Sequence, residues 1–351
     1  MAKTEDKAVV KEEAKTQAER MKMLNAFVTV QNKIHGPNSV IVGQGEAISI
    51  PRISTGSPEI DGILGGGLPR GRIVEIYGPE ASGKSTICFS TIAQLQKTGG
   101  LIGYIDVEHA IDQVYLGKMG VDITKMALSQ PDNAEEALSL AEKMVESGIF
   151  DLVVVDSVAA LVPTKELEGE MGDAQMGIVA RLMGQALRKM TAKVSNSGTV
   201  LVFINQLRMK IGVMYGNPET TSGGNALKFF ASVRLDVRRI ESIKDGERVI
   251  GQKMTVKTAK IKVAPPYQKV EVSLIYGVGF DQITGVYEEA VLKKILTKVG
   301  GGHYWLGDKA AKMASSRSEM VQKMKTDEAL LQKIKDLNKV TEVPTEVAEV
   351  K

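Results

Sequence analysis

The sequence predicts an α/β protein: a mostly parallel, twisted sheet with helices on both faces, an N-terminal helical extension and a small C-terminal α/β domain. Three observations carry that expectation. Apolar runs at 72–77, 101–106, 152–156, 199–204 and 233–238 include several that are continuously hydrophobic rather than alternating, as strands buried on both faces of a sheet are. Long helical stretches separate these runs, which requires parallel crossovers with helices packed on the sheet. After Asp281 the pattern changes, and that change sets a domain boundary.

Composition narrows the class. With 351 residues, 43% hydrophobic and 25% charged, the chain is long enough for one large domain plus appendages and is not disordered throughout. A net charge of +3 says nothing about partners, so any nucleic-acid surface must come from local clustering of basic residues. The single cysteine, Cys88, excludes an internal disulfide and fits a reducing cytoplasm. Its place in an apolar run predicts a packed core thiol. No stretch reads as a signal peptide or reaches the ~20 apolar residues of a membrane helix, so the expected location is cytoplasmic, with no membrane partner.

In chain order, residues 1–45 form the extension. Met23, Phe27, Val30 and Ile34 make an apolar helical stripe that ends at His35-Gly36-Pro37. That stripe covers either its own domain or a neighbouring subunit, and spacing alone leaves both open. Residues 46–281 form the α/β core, where the alternating runs 253–261 and 269–275 predict an antiparallel edge. In the C-terminal domain, 282–340, a helix is expected over 286–299, stopped by Gly300, Gly301 and Gly302 and followed by the aromatic stretch His303-Tyr304-Trp305. Ser316 and Glu319 have capping-box spacing, and Asp327 and Glu328 open a last helix ending near Val340. The tail 341–351 is expected to be disordered.

The chemistry begins at Gly78-Pro79-Glu80-Ala81-Ser82-Gly83-Lys84-Ser85, followed by Thr86. It fits G-x-x-x-x-G-K-[ST] between a predicted strand and a predicted helix, the context of a phosphate-binding loop. Backbone N–H groups curl around phosphates there, the helix N-terminus adds a favourable dipole, Lys84 neutralises the β/γ oxygens and Ser85 ligates Mg²⁺. Asp156, ending the apolar strand LVVVD, is the expected carboxylate that holds Mg²⁺ through water. Glu108, just past the strand at 101–106, reads either as the base that activates water or as a solvated loop acid. No metal-ligand spacing is visible among the histidines and Cys88, so a zinc site is not expected.

The strings IYGPEASGKST, IDVEHAID, VVVDSVAALVP, ELEGEMGDAQMG, VFINQLRMKIGVMYGNPETTSGGNALKFFASVRLDVRR and KIKVAPP together, in order over about 53–275, resemble the bacterial RecA recombinase family. The resemblance implies a RecA-like core and a DNA-dependent ATPase that forms helical filaments on single-stranded DNA. It also implies pairing with homologous duplex DNA and strand exchange in recombinational repair and the SOS response, with ATP and Mg²⁺ as cofactors. Stimulation of a self-cleaving repressor belongs to the same picture. By position, it makes Glu108 the activator of the hydrolytic water, Gln206 the γ-phosphate sensor, and Asp112 and Tyr115 the adenine contacts. Lys260 and Lys262 become the basic pair that reaches a neighbour's γ-phosphate, and Lys228, Phe229 and Arg234 the interface segment.

Two glycine-rich stretches, 168–177 and 207–224, have neither helical nor strand periodicity and are expected to hold DNA. The second carries Arg208, Lys210, Gly223, Gly224 and, just beyond it, Asn225. Arg181, Arg188 and Arg238 lie outside both, but in the family they face the same axis. Apart from Tyr215 the stretches lack aromatics, so phosphate contact rather than base stacking is the expected mode, with Met176 and Ile211 as apolar wedges. Ala174, Gln175, Gln113, the region 302–314 and the tail depart from the family pattern. Duplex capture by the C-terminal domain, self-inhibition by the tail and the repressor role rest on those divergent parts. A ring-forming motor such as a hexameric helicase, a nucleotide-regulated scaffold and a small-molecule kinase are the competing readings. The pair Lys260/Lys262 and the GNPETT string favour the filament.

Overall fold

The computed structural model describes residues 16–37, 39–43, 50–170, 177–209, 216, 218–245, 247–299, 302–305 and 312–340. Its contacts divide the chain into two units, Met1–Ser49 and Ile50–Lys351. In the first, helix α1 spans Gln17–His35 and opens on a capping box. Thr16 N–H donates to Glu19 Oε2 at 2.8 Å and Glu19 N–H to Thr16 Oγ1 at 3.3 Å, which satisfies donors that the first turn leaves open. The Asn32 side chain brackets Val40, donating to its carbonyl at 2.9 Å and accepting its N–H at 2.8 Å. Met23, Phe27, Val30 and Ile34 are all exposed.

The second unit begins β1 (Arg52–Ile53), α2 (Pro58–Leu64), β2 (Leu68–Pro69), β3 (Ile73–Gly78), α3 (Lys84–Lys97), β4 (Ile102–Asp106), α4 (Gln113–Lys118), β5 (Met126–Ser129) and α5 (Ala134–Ser147). It continues with β6 (Leu152–Asp156), α6 (Thr164–Glu168), α7 (Ile178–Ser197), β7 (Val200–Met209), β8 (Glu219–Thr221), α8 (Ala226–Phe230) and β9 (Val233–Asp245). Next come β10 (Arg248–Ile261), β11 (Lys269–Ile275), β12 (Gly279–Phe280), α9 (Gln282–Leu292), β13 (Leu296–Val299) and β14 (Gly302–Trp305). The last elements are β15 (Lys312–Ala314), α10 (Arg317–Thr326) and α11 (Glu328–Val340).

The central sheet has the order β12-β11-β10-β9-β3-β7-β6-β4-β5, with β8 added to β7. Strands β5, β4, β6, β7, β3 and β9 pair in parallel, whereas β10 and β11 extend the sheet antiparallel beside β9, as the alternating runs imply. Period-2 geometry then distributes the continuous apolar runs to two cores. On β6, Leu152 and Val154 join Ile87, Cys88 and Ile92 of α3 on one face. Val153 and Val155 join Leu138 of α5 and Met183, Leu187 and Met190 of α7 on the other. All four β6 residues are fully buried, each contributing about 1.5–3 kcal/mol relative to exposure. A third cluster joins Val286, Tyr287 and Ala290 of α9 with Met320, Met324 and Ile334 of the last two helices.

Two expectations are corrected. The helix expected over 286–299 ends at Leu292: Lys293 caps it, Lys294 takes a left-handed φ of 57°, and Leu296–Val299 pairs antiparallel with Gly302–Trp305. A turn toward a strand partner thus overrides the helical spacing. The stretch 207–224 is not irregular throughout, because β7 continues to Met209 and its end pairs antiparallel with Glu219–Thr221. Arg208 therefore sits on a strand. Met176, Lys210, Ile211 and the tail 341–351 lie outside the described residues. Among the described residues no helix is long and apolar enough to cross a membrane.

Candidate functional site

The register of the parallel strands assembles the site. Gly78 pairs with Gln206 across β3 and β7, and Asp106 pairs with Asp156 across β4 and β6. The chain end of each strand therefore opens on one edge of the sheet, where open α/β sheets bind ligands. A cavity of about 590 Å³ lies there, lined by Glu80–Thr86, Glu108, Tyr115, Asp156, Ile204, Gln206, Gln252, Leu274 and Tyr276. Its floor is the turn between β3 and α3. Gly78 passes so close to β9 that a Cβ would lie 2.0 Å from the Val237 carbonyl oxygen, and Gly83 caps α3 with φ of +97°. Both positions require glycine. Lys84 is buried, and its Nζ donates to the carbonyls of Gly78 at 3.2 Å and Pro79 at 2.6 Å. Burial lowers its pKa, opposed by Asp156, Glu108 and Glu80.

Two hydroxyls converge on Asp156. Ser85 Oγ donates to its Oδ2 at 2.8 Å and Tyr104 OH donates to the same oxygen at 2.7 Å. Burial raises the Asp156 pKa, those two bonds lower it, and Glu108 and Asp106 raise it further. Beside it, Glu108 Oε1 accepts from Gln206 Nε2 at 3.1 Å and from Ser157 Oγ. A carboxylate lining this cavity, steered by an amide and a hydroxyl, is equipped to take a proton from water.

Farther from the loop, Tyr115 lines the cavity while Asp112 caps α4, accepting from Val114 N–H at 2.8 Å and Tyr115 N–H at 3.2 Å. Tyr276 and Gln252 line the same cavity, the tyrosine OH donating to Gln252 Oε1 at 3.3 Å.

The other residues singled out in the sequence lie away from the cavity. Lys260 Nζ donates to the carbonyls of Lys228 at 2.7 Å and Phe229 at 2.9 Å, so the basic residue and the segment before it are tied within one chain. Burial lowers its pKa, and Lys262 and Arg234 lower it further. Lys262 is exposed and Phe229 is 73% exposed. Arg234 is anchored inward: its Nε donates to the fully buried Glu75 at 2.5 Å and its guanidinium lies 4.6 Å from the Tyr77 ring centroid. Burial pushes the Tyr77 hydroxyl up to about 12, Arg234 opposing. Arg181 and Arg188 are exposed on α7. Gly223 and Gly224 abut Val158 and Ala180 just before Asn225, the cap of α8. Arg238 is held by Glu219 through two bonds of 2.7 Å and by Asp236 at 2.8 Å, which raises its pKa.

Tyr104, Ser157, Gln252 and Tyr276 were not singled out in the sequence. Ser157 directly follows LVVVD, so its position was a usable signal. Tyr104 and Gln252 are strand residues and Tyr276 opens the turn after β11; their neighbours at the cavity come from distant segments, and local spacing carries no trace of them.

Residues 22–281 match the RecA N-terminal domain family. The chain is 51% identical over 325 residues to Protein RecA of Chloroherpeton thalassium, covering 92% of this chain and 90% of that one. It is 47% identical over 321 residues to Protein RecA of Teredinibacter turnerae, covering 91% and 93%. Among solved structures, the RadB recombinase aligns with a TM-score of 0.50 at 20% identity, over 65% of this chain and 98% of that one, a likeness of fold alone. These matches lead to one conclusion: the chain belongs to the RecA family, the DNA-dependent ATPases that act as recombinases in DNA recombination and repair.

Proposed function

We propose that the protein hydrolyses ATP with Mg²⁺ while assembled as a helical filament on single-stranded DNA, and that the filament pairs this strand with homologous duplex DNA and exchanges it. One observation carries the reading. Strand β7 runs from the cavity, where Gln206 touches Glu108, straight to Arg208 and Met209, whose segment pairs with Glu219–Thr221. A change at the γ-phosphate end of the cavity therefore has a continuous strand through which to reach the segments expected to hold DNA.

The donor set suits the metal. The Ser85 hydroxyl and the Asp156 carboxylate are hard oxygen donors, and the described residues contain no cluster of three His, Cys, Asp or Glu. A site with few protein oxygens is what a cation that keeps its waters and binds phosphates requires. Ser85 and Asp156 would hold Mg²⁺, which supplies charge neutralisation to the β- and γ-phosphate oxygens. Lys84 would exchange its two carbonyl partners for phosphate oxygens, Glu108 would accept the proton of the attacking water, and Gln206 would report the γ-phosphate.

In the filament, Lys260 and Lys262 would leave their own chain's surroundings for the neighbour's nucleotide, with Lys228, Phe229 and Arg234 at the same interface. Residues 1–45 would serve assembly, and 46–281 catalysis and DNA binding. Arg181, Arg188, Arg208 and Arg238 would contact phosphates, so binding would be sequence-independent and weakened by salt. Turnover measured with and without single-stranded DNA tests the reading. Strong stimulation is expected, and a rate indifferent to DNA would contradict it.

A further inference from the structure

We propose that Tyr104 is a positioning residue for the Asp156 carboxylate at the metal site, an inference that rests on the Mg²⁺ reading above. Tyr104 lies in the middle of β4 and is fully buried. A core strand position between Ile102 and Ile105 accepts phenylalanine without polar cost, whereas a buried hydroxyl must find a partner. Here the phenol reaches two residues along the sheet, from its register opposite Val154 to Asp156, and donates to Oδ2 at 2.7 Å. That is the length of a charge-assisted bond to a carboxylate.

Ser85 Oγ donates to the same oxygen at 2.8 Å, and no bond from a described residue reaches Oδ1. Two donors on one oxygen fix the plane of the carboxylate, a side chain otherwise broad about its last torsion. They leave the second oxygen as the acceptor for a metal-bound water. The ring of Tyr104 also packs on Phe89, with centroids 5.9 Å apart. Phe89 belongs to the helix that begins Lys84-Ser85, so one side chain joins the strand bearing Asp156 to the helix bearing Ser85.

Tyr104→Phe keeps the ring and removes only the O–H. Mn²⁺ binding to the full-length protein with ADP, read by electron paramagnetic resonance, tests the inference directly. The Mn²⁺ dissociation constant is expected to rise about tenfold, the effect typical of losing a group that orients a metal ligand. ADP affinity in EDTA should stay within about twofold, because that interaction does not pass through Asp156. Phe89→Leu, which disturbs the packing and spares the O–H, is expected to leave Mn²⁺ binding unchanged. An unchanged constant in Tyr104→Phe, with Asp156→Asn strongly weakened, overturns the role of Tyr104 alone. If Asp156→Asn also binds Mn²⁺ normally, the metal-site reading falls and takes this inference with it. Equal weakening in Phe89→Leu and Tyr104→Phe assigns the effect to packing and likewise overturns the proposal.

Discussion

Gln206 Nε2 donates to Glu108 Oε1 at 3.1 Å although the two residues are 98 positions apart in the chain. The contact joins the end of the β4 segment to β7 across the mouth of the cavity, and Ser157 Oγ adds a second donor to the same oxygen. A carboxylate held this way keeps its second oxygen free of these two donors.

Glu108→Gln follows directly. The amide cannot accept the water's proton, so turnover is expected to fall about 10²- to 10⁴-fold. Nucleotide affinity should be nearly unchanged, since on this account the loop would hold the phosphates. Steady-state turnover with a separate nucleotide-binding titration checks both. Normal turnover would remove Glu108 from the chemistry.

Lys84→Ala tests the loop. The ammonium bridges the Gly78 and Pro79 carbonyls and is the one cation among the loop residues. Loss of ATP-dependent turnover is expected, with far-ultraviolet circular dichroism unchanged, because the glycine-shaped backbone turn does not depend on it. Wild-type turnover in this variant would overturn the whole phosphate-site assignment.

Glu75→Ala tests the anchor of Arg234. Glu75 is fully buried, bonded to Arg234 and to Asn205 Nδ2 at 2.9 Å. Removing one partner of a buried pair costs about 3–5 kcal/mol, and urea unfolding should register a loss of that size. A loss below about 1 kcal/mol would mean that the pair is not what fixes Arg234.

Asp156 gives a pH dependence of stability. Burial raises its folded pKa above the ordinary value, so the folded protein holds this proton more tightly than the unfolded chain does. The stability contributed is fully present below the unfolded pKa of about 3.9 and is lost as pH rises through the folded value. In EDTA, Asp156→Asn should therefore be more stable than the parent at neutral pH, with the gap closing as pH falls toward that range. Thermal unfolding across the series measures it, and a gap independent of pH would contradict the assignment.

Much of this was legible in the sequence because some residues report their surroundings locally. Leu152–Val155 announces a strand buried on both faces, and Asp156 closes it at the edge where Gly78-x-x-x-x-Gly83-Lys84-Ser85 opens. Other elements lack such marks. Met126–Ser129 is a strand without a β-branched residue, held by its pairing with β4 rather than by propensity. Leu207, Arg208 and Met209 extend β7 only because Glu219–Thr221 pairs with them. The same limit hid Tyr104, Gln252 and Tyr276, whose partners at the cavity come from segments distant in the chain. Pairing across a sheet is a property of the fold, and one-dimensional spacing does not encode it.

Negative-stain electron microscopy of the protein with single-stranded DNA, Mg²⁺ and a non-hydrolysable ATP analogue tests the central claim most directly. Long helical filaments that disappear when nucleotide is withheld are the predicted result. Closed rings of fixed size, or DNA-bound particles indifferent to nucleotide, would contradict it.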